Sequence, residues 1–179
     1  MTYQAVINFW FKEIEPSTWW VKDLVFDKTI ATRFQALHDK AIQGELAHWR
    51  NCVQGRLAEI IILDQFSRNM YRDNTRAFAN DSMALVLAQE AISLGLDKQL
   101  SDIERSFLYM PYMHSESRII HHDAVELYKA NGIESNLDFE MKHKAIIDRF
   151  GRYPHRNAIL NRDSTADELE FLNQPDSSF

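Results

Sequence analysis

Hydrophobic residues recur along most of the chain at intervals of three and four positions, which is the spacing of one face of an α-helix. One such stripe contains Ile30, Phe34, Leu37 and Ala41, and similar stripes follow through most of the sequence. No segment alternates apolar and polar residues between turn residues, as a half-buried β-strand in a hairpin does. The pattern therefore predicts an all-α fold.

Start and stop signals divide this pattern into successive helices. Asp27 and Asp81 are each placed to cap the N-terminus of a helix. Ser101 and Glu104 have the spacing of a capping box, and Pro111 is expected to end or kink the helix that they open. Four glycines follow apolar stripes and are predicted to end helices: Gly44, Gly95, Gly132 and Gly151. Short connections between the helices predict antiparallel neighbours in a bundle or superhelix.

Length and composition fit one domain. The chain has 179 residues, which predicts a single helical domain over positions 1–179 with a disordered tail from about residue 173. Hydrophobic residues make up 45% of the chain and supply a core, whereas 5 glycines and 4 prolines leave little material for a turn-rich β-sandwich. The sequence pattern of tetratricopeptide repeats does not recur at a period of about 34 residues. Any likeness to those repeats is therefore expected in shape and not in sequence.

Charge and targeting signals narrow the class of protein. The formal net charge of −6 disfavours a nucleic-acid-binding protein, because such proteins need a basic surface. A single cysteine excludes an internal disulfide and suits a reducing compartment. The N-terminus lacks the pattern of a secretory leader, and the longest aliphatic run, Ile60 to Leu63, is too short to span a membrane. These features predict a soluble cytoplasmic protein without nucleic-acid or membrane partners.

The first candidate site lies around an acidic residue in an apolar stripe. Asp64 follows Leu57 and Ile61 at helical spacing, so it is expected on the inward face of its helix. Arg68 comes four residues later and can pair with it, and Asn69 follows directly. A buried carboxylate needs such a partner, because the unpaired charge is costly to bury. This segment is either a structural ion pair or part of a functional site.

The second candidate site combines histidines with an acid. Arg105 and Tyr109 share a helix face, and three potential metal ligands follow: His114, Glu116 and His121. Their spacing does not match a known helical zinc motif, so a metal site is the weaker interpretation. An acid–base or orienting pair of histidine and glutamate fits better, and histidines that are only solvated at a helix start fit better still.

The third candidate site is a basic corner between two helices. Gly151 can end one helix and Pro154 can occupy the first turn of the next. Arginine forks bind carboxylates and phosphates, and a helix N-terminus adds backbone donors. The corner predicts an anion-recognising pocket or, alternatively, arginines that pair with buried acids; it contains Arg152, His155, Arg156 and Asn157.

These same segments resemble a known family. Positions 64–69 read DQFSRN, 109–111 read YMP, 114–116 read HSE, 150–157 read FGRYPHRN and 162–165 read RDST. The strings resemble the signatures of a bacterial family catalogued as domain of unknown function 924. The resemblance spans nearly the whole chain and implies a tetratricopeptide-like, all-α superhelical fold. It implies no activity.

Two positions depart from the family pattern. His121 stands where a glutamine is common, which could alter ligand choice if that position lines a pocket. Asn161 stands where the family has a glycine. Because asparagine tolerates a left-handed helix terminus, the second change is expected to be structurally mild.

The candidates support three hypotheses, none of which needs a cofactor. The first is a module that binds an anionic small molecule or a peptide carboxylate on an arginine-lined face. The second is an enzyme on a small anionic metabolite, with His114 or His155 as the acid–base group and Glu116 or Asp64 orienting it. The third is an interaction scaffold whose polar residues form buried ion pairs. The candidate ligand-binding residues are Asp64, Arg68, Asn69, Arg105, Tyr109, His121, Arg152, Arg156 and Asn157.

Overall fold

The computed structural model describes residues 1–175 and 177, and this part of the chain contains helices and turns but no β-strand. The all-α prediction is therefore confirmed. Part of the predicted disordered tail, positions 176, 178 and 179, lies outside the described residues. The α-helices are α1 (Tyr3–Asn8), α2 (Leu24–Ile42), α3 (Val53–Ile61), α4 (Ser67–Met70), α5 (Asp81–Ser93), α6 (Asp102–Met113), α7 (Arg118–Asn131), α8 (Glu134–Phe150) and α9 (Ala166–Leu172).

Short helical turns of other types extend or join these helices. Two of them are π turns, which extend α1 through Phe9–Glu13 and link α3 to α4 through Ile62–Phe66. The others are 3₁₀ turns at Pro16–Trp20, Ala47–Asn51, Thr75–Ala77, Leu96–Gln99 and Pro154–Arg156.

Several predicted helix boundaries are confirmed. Ser101 and Glu104 form a reciprocal capping box at the start of α6. Thr165 forms a second capping box, with Glu168, at the start of α9. Gly132 and Gly151 end α7 and α8 in the left-handed conformation, with φ of 80° and 71°. A left-handed backbone favours glycine because it has no Cβ to clash with the carbonyl.

Two predicted N-terminal caps are wrong, because the side chain of each aspartate binds other residues instead. Asp23 caps α2 by accepting from the next turn, whereas Asp27 lies inside the helix. Asp81 is the first residue of α5 and provides no side-chain cap, because its carboxylate binds arginines. Pro111 lies inside α6, which continues for two more residues.

The core is built around aromatic rings that come from α6 and from the first half of the chain. Trp10 is 1% exposed, and its ring meets those of Phe66 and Phe107 edge to face, with centroids 5.6 and 5.7 Å apart. Such edge-to-face pairs stabilise a core beyond the area that they bury. A smaller cluster around Ile147 and Tyr153 fixes the end of α8 and the turn that follows. Among the described residues, no helix is long and apolar enough to cross a membrane.

Asn161 has a positive φ of 53°, as the comparison with the family glycine predicts. Replacing it by valine should lower the free energy of unfolding by about 1–2 kcal/mol, because a β-branched residue is strained there. Replacement by glycine should leave the free energy within about 0.5 kcal/mol of its starting value. Urea unfolding of both variants checks this, and equal stability of the two would contradict a left-handed backbone at this exposed position.

Candidate functional site

An open cleft of about 280 Å³ lies where the end of α6 meets the start of α5 and the Pro154–Arg156 turn. Hydroxyl, carboxylate, imidazole and guanidinium groups line it beside apolar side chains. The second and third predicted polar segments line this cleft directly. The first segment reaches it only through His114, which contacts Asp64. The residues important for its chemistry are Phe78, Asp81, His114, Ser115, Glu116 and Arg156.

Asp64 lies on the π turn Ile62–Phe66 and is 1% exposed, which confirms that it faces inward. One carboxylate oxygen accepts from the amide of Gln65 at 2.6 Å. The other lies 2.7 Å from Nδ1 of His114 and 3.1 Å from Nη1 of Arg68. The predicted pair of Asp64 with Arg68 is therefore present. A π turn adds a residue to a helical turn and is frequent at functional sites.

The carboxyl of Asp64 is ionised. Burial alone would raise its pKa, but the charge of Arg68 and the charge and hydrogen bond of His114 hold it well below its usual range. An ionised carboxylate only accepts hydrogen bonds. Nδ1 of His114 must therefore carry a proton and donate to Asp64, which leaves Nε2 as the second nitrogen of the ring.

His114 connects this buried carboxylate to the cleft. It is the residue after the last turn of α6, lines the cleft, and has 11% of its side chain exposed. Burial and the Arg68 charge lower its pKa, and they outweigh the opposing effect of Asp64. His114 is consequently neutral at pH 7, and Nε2 carries a lone pair. In the described part of the chain, no hydrogen bond uses Nε2.

Asp81 joins two arginines at the floor of the cleft. Its two oxygens accept from Nη1 and Nη2 of Arg68 at 2.9 and 3.0 Å. Nη1 of Arg156 reaches the same carboxylate at 3.3 Å. Arg68 thus already binds the carboxylate of Asp81 in a bidentate pair, and Arg156 makes only one longer contact with it.

Arg156 is 6% exposed and lies between two aromatic rings. Its guanidinium carbon is 4.6 Å from the ring centre of Phe78 and 4.4 Å from that of Tyr153. These rings hold the flat group in place by cation–π contact. Within residues 1–175 and 177, its buried Nε lacks a hydrogen-bond partner. Arg156 is therefore fixed in position while most of its donors stay unused.

Glu116 is the second carboxylate on the cleft wall, and it also has an arginine partner. Its oxygens accept from Arg162 at 2.6 and 2.9 Å and from the backbone N–H of Tyr153 at 2.8 Å. Burial opposes ionisation of Glu116, but the Arg162 hydrogen bonds and charge outweigh it and lower its pKa. This pair fastens the end of α6 to the corner after α8.

Two residues of the predicted basic corner do not line the cleft. Arg152 forms a bidentate pair with Glu168 of α9 at 2.6 and 2.8 Å. Asn157 donates to Ser164 and accepts from Arg162, each at 3.1 Å. Their side chains hold the segment between α8 and α9 together.

His155 also lies in the corner and does not line the cleft. Burial and the adjacent Arg156 charge lower its pKa to about 4, so it is neutral at pH 7. Among the described residues, its buried Nδ1 has no hydrogen-bond partner.

Three other candidates lie away from the cleft and bind neighbouring helices. Asn69 donates to Asp27 at 2.8 Å. Arg105 donates to the carbonyl oxygens of Asp97 and Leu100 at 3.1 and 2.9 Å. Tyr109 donates to the carboxylate of Asp97 at 2.6 Å, and burial, together with this hydrogen bond, raises the pKa of its phenol.

His121 lies inside the protein at 0% exposure. Nδ1 is 2.7 Å from Glu140 and Nε2 is 2.8 Å from the carbonyl oxygen of Ser115. The histidine that stands at position 121 in place of the family's glutamine therefore lies in a buried network and not on the cleft wall. The three potential metal ligands each have a separate partner, and the described residues contain no group of three ligands close enough to hold a metal ion.

Asp81 is the site residue whose role the sequence does not reveal. At the start of a helix an aspartate is typical of a cap, so local spacing explains it without any functional role. Its partners Arg68 and Arg156 are 13 and 75 residues away along the chain. Only the fold brings these three residues together.

The comparisons with known proteins agree on the family and the fold. Residues 6–176 match the family model described as bacterial protein of unknown function, DUF924. The chain is similar to a solved structure from Agrobacterium tumefaciens, a protein of unknown function designated ATU0120, with 35% sequence identity and a TM-score of 0.91. The similarity covers 96% of each chain. No functionally curated protein matches.

Proposed function

Because the chain belongs to the DUF924 family of bacterial proteins of unknown function, its role must be inferred from the site, and we propose that the cleft binds a small molecule through an anionic group. Arg156 is the anchor of that group. The apolar side chains beside it, including Phe78, would contact the rest of the ligand.

The hydrogen bonding of Arg156 supports this proposal. A guanidinium has five N–H donors and matches carboxylate or phosphate in a bidentate arrangement. Arg68, Arg152 and Arg162 each form such a pair with an acid of this chain. In the part of the chain that the structure describes, Arg156 has one contact to a shared carboxylate at 3.3 Å. Of these four arginines, Arg156 is the one with donors left for a ligand.

A second candidate function, an enzyme on a small anionic metabolite, is favoured by one observation. The hydrogen bond of 2.7 Å between Asp64 and His114 orients an imidazole at the edge of the same cleft. That arrangement suits acid–base chemistry. Of the two histidines predicted for this role, His114 lines the cleft.

The scaffold hypothesis accounts for part of the polar residues. Arg152 and Arg105 serve helix packing through Glu168 and backbone carbonyls. The tetratricopeptide-like character, a peptide carboxylate as ligand and a cytoplasmic location stay predictions.

A small anion fits an enclosed arginine better than a peptide does, because Arg156 is only 6% exposed.

A thermal-shift screen with phosphate, sulfate and carboxylated or phosphorylated metabolites tests the proposal. A ligand at a hundred times its Kd adds about 2.7 kcal/mol of stability. For this chain length the Tm should rise by about 5–10 °C. In the variant Arg156→Gln the rise should disappear, since the amide lacks the charge and the fork.

Arg149→Gln is the matched control, because Arg149 is exposed on α8 and does not line the cleft. That variant should show the full rise. A rise that persists in Arg156→Gln, or the lack of any rise with the whole panel, would overturn the proposal.

A further inference from the structure

We propose that His114 is the acid–base group of this cleft and takes up a proton at Nε2 when an anion occupies Arg156. The ligand class is a small oxyanion, such as a carboxylate, phosphate or sulfate group. The inference rests on the proposed function, because it needs an anion at Arg156.

The hydrogen bonds of His114 leave one position for a proton. Nδ1–H donates to the ionised carboxylate of Asp64 at 2.7 Å. The neutral ring therefore has its lone pair on Nε2, and His114 lines the cleft that Arg156 also lines. A proton that arrives at Nε2 makes an imidazolium, which the carboxylate on the opposite side of the ring stabilises. Asp64 is thus a positioning residue that sets the tautomer of the ring.

The charges around His114 are balanced while it is neutral. The charged groups around the cleft come from each element packed there: Asp64 from the π turn, Arg68 from α4, Asp81 from α5, Glu116 with its partner Arg162, and Arg156 from the 3₁₀ turn. The charges of Asp64, Arg68 and Asp81 act on His114 directly. Three carboxylates thus face three guanidinium groups. The nearby imidazoles of His143 and His155 are neutral at pH 7, because burial lowers their pKa to about 3 and about 4.

An anion in the cleft breaks this balance. Its added negative charge favours the protonated imidazole, since an opposite charge within a few ångström favours the charged form of a titrating group. The pKa of His114 rises on binding from its lowered value in the free protein. Between those two pKa values, binding takes up a proton, and affinity falls as pH rises by up to about tenfold per pH unit.

In a reaction, His114 that has been protonated in this way acts first as a general acid. The N–H bond at Nε2 breaks, the proton forms an O–H bond with a ligand oxygen that gains an electron pair as its other bond breaks, and the former N–H electron pair stays on Nε2. The neutral ring then takes a proton from water or from a hydroxyl, so no oxidant or reductant is needed.

Calorimetric titration with sodium sulfate in two buffers of different ionisation enthalpy measures the proton uptake directly. Sulfate stays fully ionised across the pH range of the histidine, so any proton taken up goes to the protein. At a pH just above the free pKa of His114, the wild type should take up a substantial fraction of one proton per sulfate. His114→Gln should still bind sulfate but take up none, because the amide can bond to Asp64 without titrating.

His122→Gln is the matched control, because that histidine has 81% of its side chain exposed and lies outside the cleft. It should behave like the wild type. Sulfate binding without proton uptake in the wild type, or uptake that persists in His114→Gln, would overturn the role of His114 while leaving the anion site intact. If the wild type binds other anions but not sulfate, the same titration is made with the carboxylate that gives the largest rise in the thermal screen, and the same two outcomes decide the role of His114. Failure of every anion would overturn the proposed function as well.

Discussion

His121→Ala should lower the free energy of unfolding by about 3–5 kcal/mol, the usual cost of leaving one partner of a buried pair alone. Both side chains of the pair with Glu140 are 0% exposed. Removal of the imidazole also leaves the carbonyl of Ser115 without its donor. Urea unfolding at pH 7 measures the loss.

The hydrogen bonds of this pair fix its protonation. Nε2 of His121 must donate, because it faces the carbonyl oxygen of Ser115 at 2.8 Å. A proton must then lie between Nδ1 and Glu140, which are 2.7 Å apart. With this shared proton in addition to the proton on Nε2, the pair is neutral overall, as its burial requires. Burial is also the main cause that raises the pKa of Glu140.

Glu140→Gln is the informative companion variant. Its amide can donate to Nδ1 and keep the hydrogen bond, so the loss should stay below about 1.5 kcal/mol. Because the folded pKa of Glu140 is raised, its stabilising contribution is complete below the unfolded value of about 4.3 and is lost as pH rises through the folded value. In Glu140→Gln the free energy of unfolding should no longer fall with rising pH in this range, because the amide does not titrate. Equal losses for His121→Ala and Glu140→Gln would contradict a shared proton.

Asp64→Asn should also lower the free energy of unfolding, by about 3–5 kcal/mol, because it removes the charge that Arg68 and His114 share inside the protein. The same substitution at Asp102, whose side chain is 67% exposed beside Arg105, should cost less than about 1 kcal/mol. Urea unfolding of the two variants gives the comparison.

The functional effect of Asp64→Asn separates a positioning role from a purely structural one. Without the carboxylate, the imidazolium of His114 loses its stabilising charge, so proton uptake on sulfate binding should fall even where the variant is fully folded. An unchanged proton uptake would show that Asp64 serves stability alone. Similar stability of Asp64→Asn and Asp102→Asn would contradict the buried ion pair.

Local sequence patterns predict the helices well because caps, glycines and apolar spacing act within one or two turns. Ser101 with Glu104 and the glycine at 151 are examples. The inward position of Asp64 also follows from helical spacing. The π turn that contains it leaves no comparable sequence signal, because it changes the local geometry without changing the residue types.

The division between cleft and packing network could not be predicted, because it depends on distant partners. Arg152 and Arg156 are four positions apart in one motif and look alike in the sequence. Arg152 is neutralised by Glu168 of the last helix, whereas Arg156 shares the carboxylate of Asp81 with Arg68. Arg156 keeps unused donors only because α5 packs against α6 and against the turn after α8.

The central claim is that Arg156 binds an anion, and nuclear magnetic resonance of its side chain tests this most directly. The Nε–H signal of Arg156 can be assigned in ¹⁵N-labelled protein by its loss in Arg156→Gln. On titration with sulfate, or with the strongest hit of the thermal screen, that signal should shift and saturate while the signal of Arg149 stays in place. A bound anion that leaves the Arg156 signal unchanged would contradict the claim.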